Sequence, residues 1–269
     1  MGSFDELTAI IGSMPGAIVA YSGGADSAFL ADAAHSVLGD RMLTVTAVSA
    51  SLAPDERAAA AALARARGWR QEEITTHELE RDEYRANGSD RCYHCKDELF
   101  DVLDALALER GATVLVGTNV DDTGDFRPGQ RAAREHGVRA PLLEAGLTKA
   151  EIRALSRARG LPTWDKPAQA CLASRIAYGI EVTLERLDRV GKAEALLRSL
   201  GFAELRVRDH GDLARIEVPV AELGRLADDG VRARVVASLT DLGFHHVTLD
   251  LEGFRSGSMN AALLSIKRK

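Results

Sequence analysis

Three cysteines and one glycine-rich turn hold the residue types in this sequence that could do chemistry. Cys92 and Cys95 form a C-x-x-C within Arg91-Cys92-Tyr93-His94-Cys95-Lys96, and Cys171 stands far downstream in Ala170-Cys171-Leu172-Ala173-Ser174-Arg175. Three thiols in 269 residues are too few, and odd in number, for a disulfide framework, so their placement decides their use. Four arrangements compete. A zinc site wants a fourth ligand, and His94, sitting between two cysteines, is more often a solvated neighbour. A redox pair needs only Cys92 and Cys95. Three buried, unrelated thiols need no function at all. Three thiolates on a 4Fe-4S cluster leave one iron open to another ligand.

The glycine turn lies in AYSGGADSAFL, Ala20 to Leu30. Ser22-Gly23-Gly24 follows a short apolar run, and Asp26-Ser27 opens a helical pattern. Backbone N–H groups at a helix N-terminus favour an anion. Glycines permit positive φ and close approach of a phosphate to the main chain, and the hydroxyls of Ser22 and Ser27 offer two further donors. The plainer readings are a tight strand-to-helix connection and, for Asp26, an N-cap. A Walker A loop is excluded, because no G-x-x-x-x-G-K-[ST] occurs.

Strands and helices must alternate to carry these features. Ala17 to Tyr21, Leu43 to Ser49, Glu73 to Thr76 and Thr113 to Gly117 have the pattern of buried strands; Ser27 to Leu38, Pro54 to Arg67 and Asp97 to Glu109 have that of helices. In the last, Leu99, Val102, Leu103 and Leu106 make one apolar stripe. Thr148 to Gly160 is a further helix, opened by the capping pair Thr148 and Glu151. The alternation predicts an α/β fold, a parallel sheet with helices on both faces, whose ligands lie at the carboxyl ends of the strands. Periodicity lapses from Leu161 to Gly179, and the later elements predict a smaller α+β domain, dividing the chain into 1–175 and 176–269.

Composition narrows the function. A net charge of −6, from 34 basic and 40 acidic residues, argues against a protein built to grip nucleic acid. No apolar run is long enough to cross a bilayer, and MGSFDELTAI lacks a basic n-region, so a cytoplasmic location without membrane partners is the expectation.

S-G-G-x-D-S after a strand resembles the pyrophosphate loop of the ATP pyrophosphatase (PP-loop) superfamily. GTNVDDTGDFRPGQ (117–130), PLLEAGLTKAEIR (141–153), LPTWDKPAQACLASRIAYG (161–179) and RVRDHGDLARIEV (206–218) resemble the LarE family, the pyridinium-3,5-biscarboxylic acid mononucleotide sulfurtransferases. Departures are small: Ala25 where valine is usual, and Ile176-Ala177 where the second position is usually proline. The resemblance implies ATP-dependent adenylation of a carboxylate, assisted by magnesium, and replacement of an oxygen by sulfur in the making of the nickel-pincer nucleotide of lactate racemase. Sulfur comes in this family either from sacrifice of the cysteine matching Cys171 or from a 4Fe-4S cluster on three cysteines. This chain has all three, and a cluster uses each of them, so the cluster is the expectation and Cys171 sacrifice the alternative. A transfer-RNA thiolase with the same loop is a further alternative, which the acidic charge opposes.

On this resemblance Ser22, Gly23, Gly24, Asp26 and Ser27 form the phosphate loop, with Asp26 helping to hold magnesium. Gly117, Thr118 and Asn119 fall where the adenylate lies, and Asp121, Asp122 and Asp125 follow, mostly in structural roles. Cys92, Cys95 and Cys171 hold the cluster. Arg206 and Arg208 alternate on a strand and share a face suited to the substrate's phosphate monoester, or else paired with acids. Arg175 and Glu194 are further substrate-site candidates. Lys149 and Arg153 lie one helical turn apart, suited to phosphate or to a solvated face. A pyridinium mononucleotide, a sulfide donor and a homo-oligomeric assembly complete the implied partners.

Overall fold

In the computed structural model, which describes residues 4–124, 128–167 and 170–255, the elements follow one another as α1 (Phe4–Gly12), β1 (Ala17–Ala20), α2 (Ala25–Leu38), β2 (Met42–Val48), α3 (Pro54–Ala66), β3 (Gln71–Thr75), α4 (Asp82–Arg85), α5 (Arg91–Arg110), β4 (Thr113–Leu115), α6 (Pro128–Glu135), α7 (Pro141–Glu144), α8 (Lys149–Ala158), α9 (Leu184–Ser199), β5 (Arg206–Asp209), β6 (Leu213–Glu217), α10 (Leu223–Ala227), α11 (Asp229–Asp241) and β7 (His246–Leu249). They fall into two compact units, 1–78 with 92–169, and 79–91 with the chain from 170 onward. The single division expected at 175/176 takes each part as continuous, whereas the structure groups 79–91 with the later unit.

The first unit is the α/β fold that the alternation predicts. Its sheet runs β3-β2-β1-β4, every pair parallel, with Ile18 opposite both Leu43 and Val114. Successive residues of a strand face opposite sides. Ala17 and Val19 accordingly join the core built by α1, α2, α3 and α8, with Leu7, Phe29, Leu63 and Ile152, while Ile18 joins the opposite core, with Leu99, Phe100 and Leu103 of α5. The central strand AIVA is thereby covered on both faces, and β3, paired on one side only, carries Glu72 and Glu73, charges that blunt an edge. Nine of the fourteen residues of α2 are buried, which explains its lack of a clear apolar stripe. Thr148 and Glu151 form the expected capping box at the start of α8. Backbone and hydroxyl donors of Thr148 hold the Glu151 carboxyl below the usual carboxylate range.

The second unit has a three-stranded sheet, β5-β6-β7, antiparallel then parallel. Its core joins Ala193 and Leu197 of α9, Val207, Ile216, Val235 and Leu239 of α11, and Phe202 and Phe244. Residues 79–91 belong to it through Asn87, fully buried at φ 54, whose amide donates to the carbonyls of Ile176, Ala177 and Ile180. Arg91 adds a bond from Nη1 to the Ala173 carbonyl at 2.9 Å.

Candidate functional site

β1 ends at the carboxyl edge of the sheet, and the glycine turn is built there. Gly23 sits at φ +72, where a side chain is strained, and a Cβ would lie 2.8 Å from the Ala60 Cβ of α3. Both serine hydroxyls close the turn. Ser27 Oγ donates to the Gly24 carbonyl at 3.2 Å and stands 3.1 Å from Ser22 Oγ, so the hydroxyl hydrogens that the sequence assigns to a ligand serve the loop itself. Gly24 precedes α2 in an extended conformation with no side-chain cap, so the leading amides of a fourteen-residue helix keep their donors. Asp26 stands in the first turn of that helix.

Gly117 brings the next strand's end onto this turn. A Cβ there would meet Ser27 N at 2.9 Å, so only glycine lets the segment after β4 lie against the start of α2. Thr118 is half-buried and Asn119 wholly buried. Asn119 Oδ1 accepts from Asp121 N at 3.0 Å, and its Nδ2 has no hydrogen-bond partner among the described residues. Asp122 accepts from Asn119 N, and Asp121 accepts from the Lys149 amide at 2.6 Å, so both carboxylates have structural roles. Lys149 Nζ stands 3.9 Å from Asp122, and Asp125 lies outside the described residues.

Two features of this edge escape local sequence reading. Lys166, from the aperiodic stretch, donates from Nζ to the Gly23 carbonyl at 3.1 Å and to Glu56 Oε2 at 2.6 Å. Glu78, buried just past β3, accepts from Ser51 Oγ at 3.1 Å. The signal for Lys166 was its place beside Pro167 in a segment with no helical or strand period to explain it.

α5 starts at Arg91, earlier than the apolar stripe alone suggests, so Cys92 and Cys95 both lie in its opening turns. Three apart on a helix, they share a face. Cys92 is exposed and Cys95 half-buried, and neither is in a disulfide. α6 backs this turn: Gly129 approaches so closely that a Cβ would lie 3.3 Å from the Cys92 carbonyl oxygen, and Tyr93 donates to Glu135 at 2.6 Å. Cys171 is exposed and free at the head of a short 3-10 turn, Leu172–Arg175. Cysteines outside any disulfide are the donor type that an iron–sulfur cluster requires. Among the described residues, no group of three or more His, Cys, Asp or Glu side chains is gathered for a metal ion.

In the second unit, Arg175 is buried and forked onto Glu194, at 2.9 and 3.1 Å, and donates to the carbonyls of Ala170 and Cys171. It therefore fixes the backbone that presents Cys171. Glu194 also accepts from Arg198 and from Val207 N, so its oxygens are taken within the protein. Arg206 and Arg208, expected on one strand face, are both buried. Arg208 bonds Glu217 at 2.8 Å and the Ser174 carbonyl at 3.2 Å. Arg206 lies over the Phe254 ring, and burial, reinforced by the nearby Arg175 charge, pushes its guanidinium down to about 10. Arg175 and Arg208 are thus each paired with a buried glutamate.

No family model matches the sequence. The chain is 45% identical over 260 residues to an uncharacterized protein of Synechocystis sp., covering 96% of this chain and 97% of that one. It is 39% identical over 259 residues to the pyridinium-3,5-bisthiocarboxylic acid mononucleotide synthase of Lactiplantibacillus plantarum, covering 96% of this chain and 93% of the synthase. A third relative, an uncharacterized protein of Methanocaldococcus jannaschii, is 32% identical over 171 residues, 63% of this chain and 66% of its own length. Among the described residues no helix is long and apolar enough to cross a membrane.

Proposed function

Since this chain belongs to the LarE family of sulfurtransferases, we propose that it uses ATP to adenylate and then thiolate the two carboxylates of pyridinium-3,5-biscarboxylic acid mononucleotide. A substrate carboxylate oxygen attacks the α-phosphorus of ATP, the bond from that phosphorus to the bridging oxygen breaks, and pyrophosphate leaves with the electron pair. A sulfur nucleophile then adds at the acyl carbon, and AMP departs to leave a thiocarboxylate. The sequence is repeated on the second carboxylate.

The observation that carries this reading is the turn at 22–27, an uncapped helix start beside a left-handed glycine, in a chain that aligns with the synthase over 96% of its length. Ser22, Gly23, Gly24 and Ser27 shape the loop, and the leading amides of α2 take the pyrophosphate end. Asp26 assists magnesium. Gly117, Thr118 and Asn119 border the adenylate, with Asn119 Nδ2 as a donor. Arg206 and Arg208 attract the substrate's phosphate monoester, and Arg175, braced by Glu194, holds the Cys171 backbone.

Cys92, Cys95 and Cys171 are the residues that would hold a 4Fe-4S cluster, which when bound supplies sulfide for transfer. An external sulfide donor replenishes it, and the active assembly is a homo-oligomer. The test is an anaerobic assay of reconstituted protein with ATP and the dicarboxylated mononucleotide, following AMP, pyrophosphate and thiocarboxylate mass. All three products are expected, with iron and sulfide lost from Cys92→Ala. Absence of AMP and pyrophosphate sinks the ATP chemistry; loss of one sulfur from the intact mass of Cys171 during turnover sinks the cluster route in favour of sacrifice.

A further inference from the structure

Lys166 reaches the phosphate turn from 143 residues away and places an ammonium on its main chain. Of its three hydrogens, one goes to the Gly23 carbonyl and one to Glu56, at 3.1 and 2.6 Å, which leaves the third uncommitted among the described residues. The side chain is one-fifth exposed, as is that of Glu56, so the pair is neither sealed in the core nor spread on the surface. Gly23 is the residue whose left-handed conformation forms the turn, and the helix that follows has no side-chain cap. A lysine ammonium is a compact charge on a flexible four-carbon stem, so it can pivot between a carbonyl and a phosphate oxygen without moving the backbone.

We propose that Lys166 is the cation of the nucleotide site, exchanging Glu56 and the Gly23 carbonyl for oxygens of the β- and γ-phosphates when ATP binds. There it balances the charge gathered on pyrophosphate as the bond from the α-phosphorus to the bridging oxygen breaks. Glu56 acts as the counter-ion that parks the ammonium beside the turn. This assignment rests on the ATP reading above and adds to it the residue that tells ATP from AMP.

The experiment is calorimetric titration of Mg-ATP, pyrophosphate and AMP into the full chain and into Lys166→Met, Lys166→Arg and Glu56→Gln. A charge-assisted hydrogen bond to phosphate corresponds to roughly 10- to 100-fold in affinity. Lys166→Met is expected to weaken ATP and pyrophosphate by about that factor while AMP changes less than about threefold. Lys166→Arg keeps most of the ATP affinity, and Glu56→Gln, which frees the ammonium, holds or raises it. If Lys166 merely braces the turn, Lys166→Met weakens ATP and AMP in parallel and Glu56→Gln does the same damage; either result overturns the proposal. Thermal melting of each variant separates loss of the ligand from loss of the fold. Wild-type protein that binds neither ATP nor pyrophosphate overturns the underlying ATP reading as well, whereas wild-type binding with no effect of Lys166→Met overturns the lysine assignment alone.

Discussion

Gly23 concentrates two constraints in one residue. Its φ of +72 costs a side chain about 1–2 kcal/mol, and a Cβ 2.8 Å from that of Ala60 must displace α3 or the turn. Gly23→Ala is therefore expected to lower the melting temperature by several degrees and to abolish ATP binding. Adding Ala60→Gly removes the clash but not the strained dihedral, so the double variant regains part of the stability. A Gly23→Ala protein that melts and binds ATP like the parent would show that the turn adapts. Ser27 presents a contrasting case at the same turn. Its hydroxyl is engaged with Gly24 and Ser22, so Ser27→Ala acts through the shape of the loop rather than through a lost phosphate contact. The serines of the turn were legible in sequence because each of their contacts there spans five residues or fewer. Lys166 and Asn87 were not, since their partners lie 143 and 89 residues away and no local period marks them.

Between elements, the pair α5 and α6 frames the C-x-x-C. His136, directly after α6, sets Nδ1 2.6 Å from Asp104 and Nε2 3.2 Å from Asp97, both on α5. Burial pulls the imidazole's pKa down, but the hydrogen bonds to Asp104 and Asp97 outweigh it, so His136 titrates above its ordinary value. A base whose pKa is raised on folding contributes stability that is fully present below its unfolded value, about 6.5, and lost as pH rises through the folded value. His136→Gln should consequently lower the melting temperature more at pH 6 than at pH 9. Equal losses at both pH values would mean the contact is a matter of packing alone. The start of α5 was only half legible: its apolar stripe begins at Leu99, while the helix reaches back to Arg91 and lifts both cysteines onto its first turns. The capping box of α8 was fully legible, because four consecutive residues contain it. Thr148→Ala should cost about 1 kcal/mol, read from denaturant midpoints at unchanged slope.

At the scale of the molecule, three cores with no shared residue support the two units, two of them on opposite faces of the first unit's sheet and the third between α9, α11 and the β5-β6-β7 sheet. The alternating elements made the first unit legible. The second was legible only in outline, because a segment from 79 to 91 joins it through Asn87, and one amide bonded to three carbonyls leaves no periodic trace. Arg206 and Arg208 likewise showed their shared strand in the sequence, but not their burial against Glu217 and Phe254. Asn87 offers the sharpest test of this partition. Asn87→Ala leaves buried carbonyls of Ile176, Ala177 and Ile180 short of a donor and deprives Arg91 of an acceptor, a loss of about 2–3 kcal/mol or more. Asparagine also tolerates positive φ better than alanine, which adds to the cost at φ 54. Since these partners all lie in one unit with its own core, amide exchange should rise in α9, β5 and β6 while β1, β2 and β4 keep their protection. Exchange rising equally through both sheets would mean that the two units unfold as one, and that the second unit has no stability of its own for Asn87 to regulate.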